Sequence, residues 1–323
     1  MSKKVFVCCP GDTVTGGPEL LHQFVDKLRQ QGADAQIMYY PFEEKFSTPS
    51  VYEHYNVPVA DFASSDFNGA TVVFPEVCTR FAKLFDKANV VVWWLSVDNY
   101  FGPYSKSDLT IKIRHFQRAL RGKKMFLSSM KKYHHMTQSE YAKIFLAKNN
   151  LPSTMLTDYL NGTHLKSEPN LIDRENIIAY NPKKGVEYTQ VLIGSNPGVK
   201  FVPIENMSPQ QVRELLSRSK AYIDFGTHPG KDRFPREAAM AGCCIITGKR
   251  GSAENNVDVP IPHKYKIDEK DPLLAEKFGV LIRSIFADFE SHSREFDEYR
   301  QTIRQEPEVF DIQTQQFAAK FCR

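Results

Sequence analysis

At 323 residues, with 41% hydrophobic and 25% charged residues, the chain has the composition of a globular protein of two domains or one large one. No apolar run approaches the roughly 20 residues that cross a bilayer as a helix, which excludes a membrane-spanning helix. The formal net charge of +4 is unevenly spread: residues 1–167 carry 20 Lys and Arg against 15 Asp and Glu, the remainder 22 against 23.

Strand and helix signals alternate along the chain, as parallel α/β folds require. Residues 4–9 form a buried apolar run that stops at Pro10-Gly11-Asp12, which reads as a first strand rather than a signal peptide. A glycine-bearing turn at 13–19 leads into a helix with Leu20, Leu21, Phe24, Val25 and Leu28 on one face. Residues 35–40 form the second strand, and 41–68 an aromatic, turn-rich loop expected over a cleft. Strands are expected at 71–74, 90–95 and 124–128, and helices at 79–86, 139–148 and 153–160. A polar stretch at 161–170 reads as the linker between an N-terminal domain, 1–165, and a C-terminal domain, 166–304. The second series has strands at 176–180, 201–204, 221–225 and 243–247, with a further short one at 264–267. Its helices begin after Gly185, at Ser208 with Gln211 three residues on, at Pro235 and after Pro272. A last helix in 305–323 is expected to fold back on the first domain.

The most informative stretch is 224–246. Asp224 ends a strand, a polar loop carries His228, Lys231, Asp232 and Arg233, and a helix is expected to open at Pro235 with Arg236 and Glu237 in its first turn. Free N–H groups and the dipole make a helix start an anion site. Three cations beside it point to a phosphate, and a carboxylate in the same turn to a ribose or sugar hydroxyl pair. The turn Asn181-Pro182-Lys183-Lys184-Gly185 follows another buried strand, where ligands bind in open α/β sheets, so Lys183 or Lys184 is expected to reach a diphosphate as a point charge. In the first half, Gly16 and Gly17 open a helix as a close-approach loop or a simple tight turn. They form neither a dinucleotide fingerprint nor a P-loop, which argues against an NAD-linked oxidoreductase or epimerase. Glu76 follows a strand and either faces the cleft or lies on an exposed loop. His22 reads as structural, His134-His135 as surface, and one ring of Trp93-Trp94 as core or cleft lining.

The six cysteines include the adjacent pairs Cys8-Cys9 and Cys243-Cys244 and no Cys-x-x-Cys spacing. Buried, reduced thiols in a cytoplasmic protein are expected, without zinc. Residues 106–132 hold nine basic residues against Asp108 alone. This is either a solvated helix face or a surface attracted to an anionic membrane or glycan; nucleic acid is not expected, since no recognition motif accompanies the charge.

These residues resemble GT-B glycosyltransferases, above all the glycosyl-transferases group 1 (family 4-like) C-terminal domain over 176–268, through the lysine turn and Pro-Arg-Glu-Ala-Ala-Met-Ala-Gly-Cys. The resemblance implies an α/β fold of two Rossmann-like domains whose parallel sheets face a central cleft. It implies that Glu237 binds the nucleotide ribose, that Asp224 stands where a first glutamate would be, and that Lys183 or Lys184 binds phosphate. The loop between Asp224 and Glu237 is longer here than in that family.

The expectation is a metal-independent, cofactor-free glycosyltransferase, hexosyltransferase-like and retaining, that moves a sugar from a nucleotide-diphosphate donor to a glycan or lipid-linked acceptor in bacterial-type surface polysaccharide synthesis. Lys231, Arg233, Glu237 and Asp224 are the expected catalytic residues. Lys183, Lys184, His228, Arg236 and Glu237 would bind the donor. Gly16, Gly17, Glu19 and Glu76 would lie on the acceptor side, and Asp12, Glu19 or Glu76 would supply a base if the enzyme inverted. The expected location is cytoplasmic, with peripheral membrane contact through 106–132. The alternative is a non-catalytic nucleotide- or glycan-binding module of the same architecture.

Overall fold

The computed structural model describes residues 3–55, 57–102, 108–165, 169 and 171–322, without the side chains of 108–112 and 115. The chain forms two compact units, Met1–Asp158 with Pro307–Arg323, and Tyr159–Glu306.

Unit 1 contains β1 (Val5–Pro10), α1 (Gly16–Gln30), β2 (Ala35–Tyr40), β3 (Thr71–Pro75), β4 (Asn89–Trp94), α2 (Val97–Phe101), α3 (Asp108–Leu120), β5 (His134–Thr137), α4 (Glu140–Lys148) and β6 (Ser153–Met155). All six strands are parallel, in the order β2-β1-β3-β4-β5-β6. The strands read as unbroken apolar runs because helices cover both faces of such a sheet. Trp93 and Trp94 are both fully buried, one donating to the Leu156 carbonyl at 3.0 Å and the other to His135 at 3.1 Å. Residues 41–68 contain a short 3₁₀ turn, Ser50–Tyr55, and pack their rings inward, with Phe42 stacked on Phe62 at 4.6 Å.

Four expectations in this unit need correction. Residues 124–128 are not a strand: the sheet takes β5 instead, with a 3₁₀ turn at Leu127–Met130 before it. His135 is therefore buried, not on the surface. It accepts from Trp94 on Nδ1 and donates from Nε2 to the Met130 carbonyl, so a neutral ring is satisfied on both sides. Residues 153–160 are not helical; Ser153 and Thr154 enter an edge strand, where a β-branched residue suits extended backbone. The expected helix at 79–86 is a 3₁₀ segment, Glu76–Leu84, kinked at Cys78.

Unit 2 contains α5 (Gly162–Leu165), β7 (Glu175–Tyr180), α6 (Val186–Ser195), β8 (Lys200–Pro203), α7 (Pro209–Arg218), β9 (Ser219–Asp224), α8 (Arg233–Met240), β10 (Cys244–Thr247), α9 (Leu274–Ala287) and α10 (Phe289–Arg294). Its sheet is also parallel, in the order β10-β9-β7-β8. Ser208 and Gln211 form the expected reciprocal cap of α7. The expected strand at 264–267 reduces to a single bridge between Thr247 and Lys266. α8 begins at Arg233, two residues before Pro235.

α11 (Asp297–Phe321) supplies residues to both units, the change falling at Pro307. In unit 1 its Phe317 meets Phe24 edge-on at 5.0 Å, and the Thr71 hydroxyl donates to the Phe321 carbonyl at 3.1 Å. All six cysteines are buried and unbridged. Among the described residues no helix is long and apolar enough to cross a membrane.

Candidate functional site at the switch point of the second sheet

In unit 2 the chain leaves β7 for β8 on one side and β9 on the other. The carboxyl ends of β7 and β9 therefore flank the topological switch point, where open α/β sheets bind ligands. Two loops meet there. The first is the turn after β7, in which the Asn181 carboxamide accepts the Lys183 N–H at 3.0 Å. It ends at Gly185, whose φ of 58° lies in the left-handed region. A Cβ there would sit 2.2 Å from the Phe225 carbonyl oxygen, so glycine is needed for both conformation and approach. That approach carries Lys184 over Gly226 and sets its ammonium 2.7 Å from Asp232. Lys183 is exposed.

The second loop, between β9 and α8, is built on alternating charge. Asp224, buried, accepts the Gly226 N–H at 2.8 Å and the Tyr222 hydroxyl at 3.2 Å. His228, wholly buried with φ 44°, lies between two carboxylates. Its Nε2 is 3.1 Å from the Asp224 carbonyl and 3.4 Å from the Asp224 carboxylate. Its Nδ1 is 3.1 Å from Asp232, an oblique ion-pair contact rather than an aligned hydrogen bond. Burial alone would push the imidazole down, but Asp224 and Asp232 overcome it and lift His228 to about 9. Burial likewise pushes Asp232 up, and His228 and Lys184 together hold it well below the usual carboxylate range. Asp224, His228 and Asp232 bring their donor atoms within 4.8 Å of one another, a spacing that suits a metal. An imidazolium and the Lys184 ammonium already place positive charge among them.

The start of α8 differs from the expected one because Asp232, at the N-cap, turns its carboxylate to His228 and Lys184 and makes no side-chain cap. Arg233 is half-buried at the first helical position. Arg236 is wholly buried: it donates to the carbonyls of Asp232 and Lys231, both at 3.2 Å, and pairs with Glu306 at 2.8 Å. Lys231 pairs with the other oxygen of Glu306 at 2.7 Å. Glu237 lies half-buried in the next turn, 3.8 Å from His164. The fold thus gathers Asp224, His228, Lys231, Arg233, Arg236, Glu237 and Lys184 about one edge, but Arg236 acts through Glu306 rather than as an open cation.

Sequence reasoning missed Glu306, Arg250 and Glu269. Arg250 follows β10, lies 5.0 Å over the Tyr188 ring, pairs with Glu269 at 2.7 Å and donates to the Phe225 carbonyl. Its signal was present: Lys249-Arg250-Gly251 after a buried strand repeats the pattern of Lys183-Lys184-Gly185. Glu306 carries no such signal, because its partners lie about 70 positions away in the chain.

In unit 1 the switch point falls between β1 and β3. Gly16 and Gly17 open α1 there; a Cβ on Gly17 would meet only Leu95, at 3.9 Å, so no close backbone approach requires that glycine. Glu19 accepts the Tyr55 hydroxyl at 3.1 Å. Glu76 is 1% exposed, not on an exposed loop. It accepts the Leu95 N–H at 2.9 Å where β4 ends, and burial raises its carboxyl to about 7. Nearby Lys124, also buried, donates to the Val77 carbonyl at 3.0 Å.

No protein-family model matches the sequence, and none of the curated proteins does. Solved structures do match the fold. Sucrose-phosphate synthase from Thermosynechococcus elongatus aligns with TM-score 0.70 at 10% identity over 98% of each chain. A glycosyltransferase from Rickettsia africae aligns with TM-score 0.64 at 12% identity over 99% of this chain and 98% of its own. HepE from Anabaena, solved in complex with UDP, aligns with TM-score 0.60 at 11% identity over 98% of each chain. Two successive units with parallel, doubly wound sheets, matched over nearly the whole length by these proteins, give this chain the GT-B glycosyltransferase fold.

Proposed function

We propose that the chain is a glycosyltransferase that takes its sugar from a nucleotide-diphosphate donor held at the β7/β9 switch point. The observation that carries this reading is the convergence of Lys184, Lys231 and Arg233 on the start of α8, at the strand ends where this class of sheet binds ligands. The HepE structures hold UDP or UDP-glucose, and an α-glucosyltransferase of the same fold holds UDP.

In transfer, the bond between the sugar's anomeric carbon and the diphosphate oxygen breaks, and its electron pair leaves on the phosphate. A new bond forms to an acceptor oxygen, which gives up its proton to an oxygen of the departing diphosphate. Lys184, Lys231 and Arg233, with the α8 dipole, offset the charge that develops on the leaving diphosphate. Lys183 approaches the same group from the exposed side of its turn, and Glu237 takes the ribose hydroxyls. Arg236, with Glu306, is a positioning residue for the loop. Asp224 and His228 hold that loop from within. Positive charge from Lys184 and His228 replaces a metal, and no cofactor is used. Transfer retains anomeric configuration, and the donor sugar is a hexose. The acceptor, a glycan or lipid-linked sugar of bacterial-type surface polysaccharide, meets the Gly16–Gly17 and Glu19 side of unit 1 in the cytoplasm.

Calorimetric titration with UDP and GDP, together with a donor-turnover assay run with and without a chelator, tests this reading. Binding should weaken about 10- to 100-fold in Lys184→Ala, as a charged hydrogen bond of about 1.5–3 kcal/mol is lost. Turnover should survive the chelator. Binding without turnover would favour a non-catalytic module, and failure of every nucleotide to bind would end the proposal.

A further inference from the structure

We propose that unit 1 docks on anionic phospholipid bilayers through α3, with Ile113, Phe116 and Leu120 entering the headgroup boundary. These three residues recur at spacings of three and four, which places them on one stripe of the helix. They are 50%, 55% and 65% exposed, whereas Ala119, off the stripe, is buried. A contiguous aliphatic and aromatic stripe left in water marks an interaction surface.

The charge around it selects the partner. Arg114 and Arg118 are exposed on the same helix, Arg121 and Lys123 follow it directly, and Lys131 and Lys132 are exposed beyond the next turn. Asp108 is the one acidic residue across 106–132. Phosphate backbones of nucleic acids call for the cations but leave an Ile-Phe-Leu stripe in water. A bilayer with anionic headgroups uses both: the stripe enters the acyl boundary while the arginine stems let their charged ends remain among the phosphates. Stable attachment takes two such signals together, and each basic residue near the surface contributes about 1 kcal/mol. The proposal is independent of glycosyl transfer.

Flotation of the full chain with vesicles tests it. Vesicles of phosphatidylcholine mixed with phosphatidylglycerol should carry the protein to the top of the gradient, vesicles of phosphatidylcholine alone should not, and added salt should weaken the binding. These arms need no variant. Arg114→Gln and Arg121→Gln should each weaken binding about fivefold. The triple change Ile113→Ser, Phe116→Ser and Leu120→Ser should weaken it by more than tenfold. Because Phe116 also meets the Phe126 ring at 5.7 Å, circular dichroism is recorded beside the binding, and Ile113→Ser with Leu120→Ser, which leaves that ring contact in place, should show the same direction of change. The proposal is overturned if the mixed vesicles do not bind the chain, or if the triple variant binds them as well as the parent. Retention of duplex DNA by a chain that ignores both kinds of vesicle would also overturn it, and would assign the basic segment to nucleic acid.

Discussion

His228 offers the sharpest test of the loop's electrostatics. Its folded state binds a proton more tightly than the unfolded chain does, with an ordinary value of 6.5 lifted to about 9. The resulting stabilisation is complete below the unfolded value and drains away as pH rises through 9. At 1.36 kcal/mol per pH unit the full effect is on the order of 3 kcal/mol, and that is a ceiling, because Lys184 shares Asp232. Asp232 acts in the opposite sense: its contribution is present above its ordinary value of 3.8 and lost as pH falls below it. Stability should therefore be highest between about pH 4 and pH 6.5 and decline toward pH 9. His228→Asn is the suitable change, since asparagine tolerates the left-handed backbone found at this position. Near pH 6 the variant should be less stable by roughly 2–3 kcal/mol, and near pH 9 the gap should shrink to about 1 kcal/mol or less. Urea unfolding followed by far-ultraviolet circular dichroism gives the measurement. Both tryptophans, Trp93 and Trp94, lie in unit 1, so their emission serves as a separate record of that unit. A gap of constant size from pH 6 to pH 9 would mean that the ring is neutral, and the charge alternation assigned to the loop would be wrong.

Three further outcomes follow from buried or crowded positions. Glu306→Gln leaves Lys231 and the buried Arg236 without their carboxylate and should cost about 3 kcal/mol in thermal or urea unfolding; a loss below about 0.5 kcal/mol would show that the pair carries nothing. Glu76, raised by burial from 4.5 to about 7, loses folding free energy as pH rises between those values. Glu76→Gln should therefore unfold at a higher temperature than the parent near pH 8, and at nearly the same temperature near pH 4. Gly185→Ala meets both a left-handed backbone and the Phe225 carbonyl, so it should cost more than the 1–2 kcal/mol of the conformation alone; wild-type stability in this variant would refute the close approach of the two loops.

Apolar runs bounded by turns placed β1, β2, β7 and β9 well, because strands buried on both faces leave that mark in the sequence. The Ser208 cap located one helix start to the residue. The same reasoning failed at β5, where two histidines look polar but one is a neutral, fully bonded core residue. It also failed at α8, where Pro235 marked a helix start that Arg233 already makes. At the site, sequence order gave the residues of each loop but not their pairing. That Lys184 would reach Asp232, or that one carboxylate would hold both Lys231 and Arg236, depends on strand order and on a helix residue far along the chain. Burial, which turned Glu76 into a core carboxylate, is equally invisible in a segment that ends a strand in Pro-Glu.

Lys184, Lys231 and Arg236 each meet an aspartate or glutamate of the same unit before any nucleotide arrives. On the reading proposed above, a diphosphate enters by exchange: it competes with Asp232 for Lys184 and with Glu306 for Lys231. Part of each new attraction is spent on displacing an old one, so the donor is held more loosely than the count of cations suggests. After transfer the carboxylates reclaim their partners, and the spent nucleotide is expelled by the same side chains that received it.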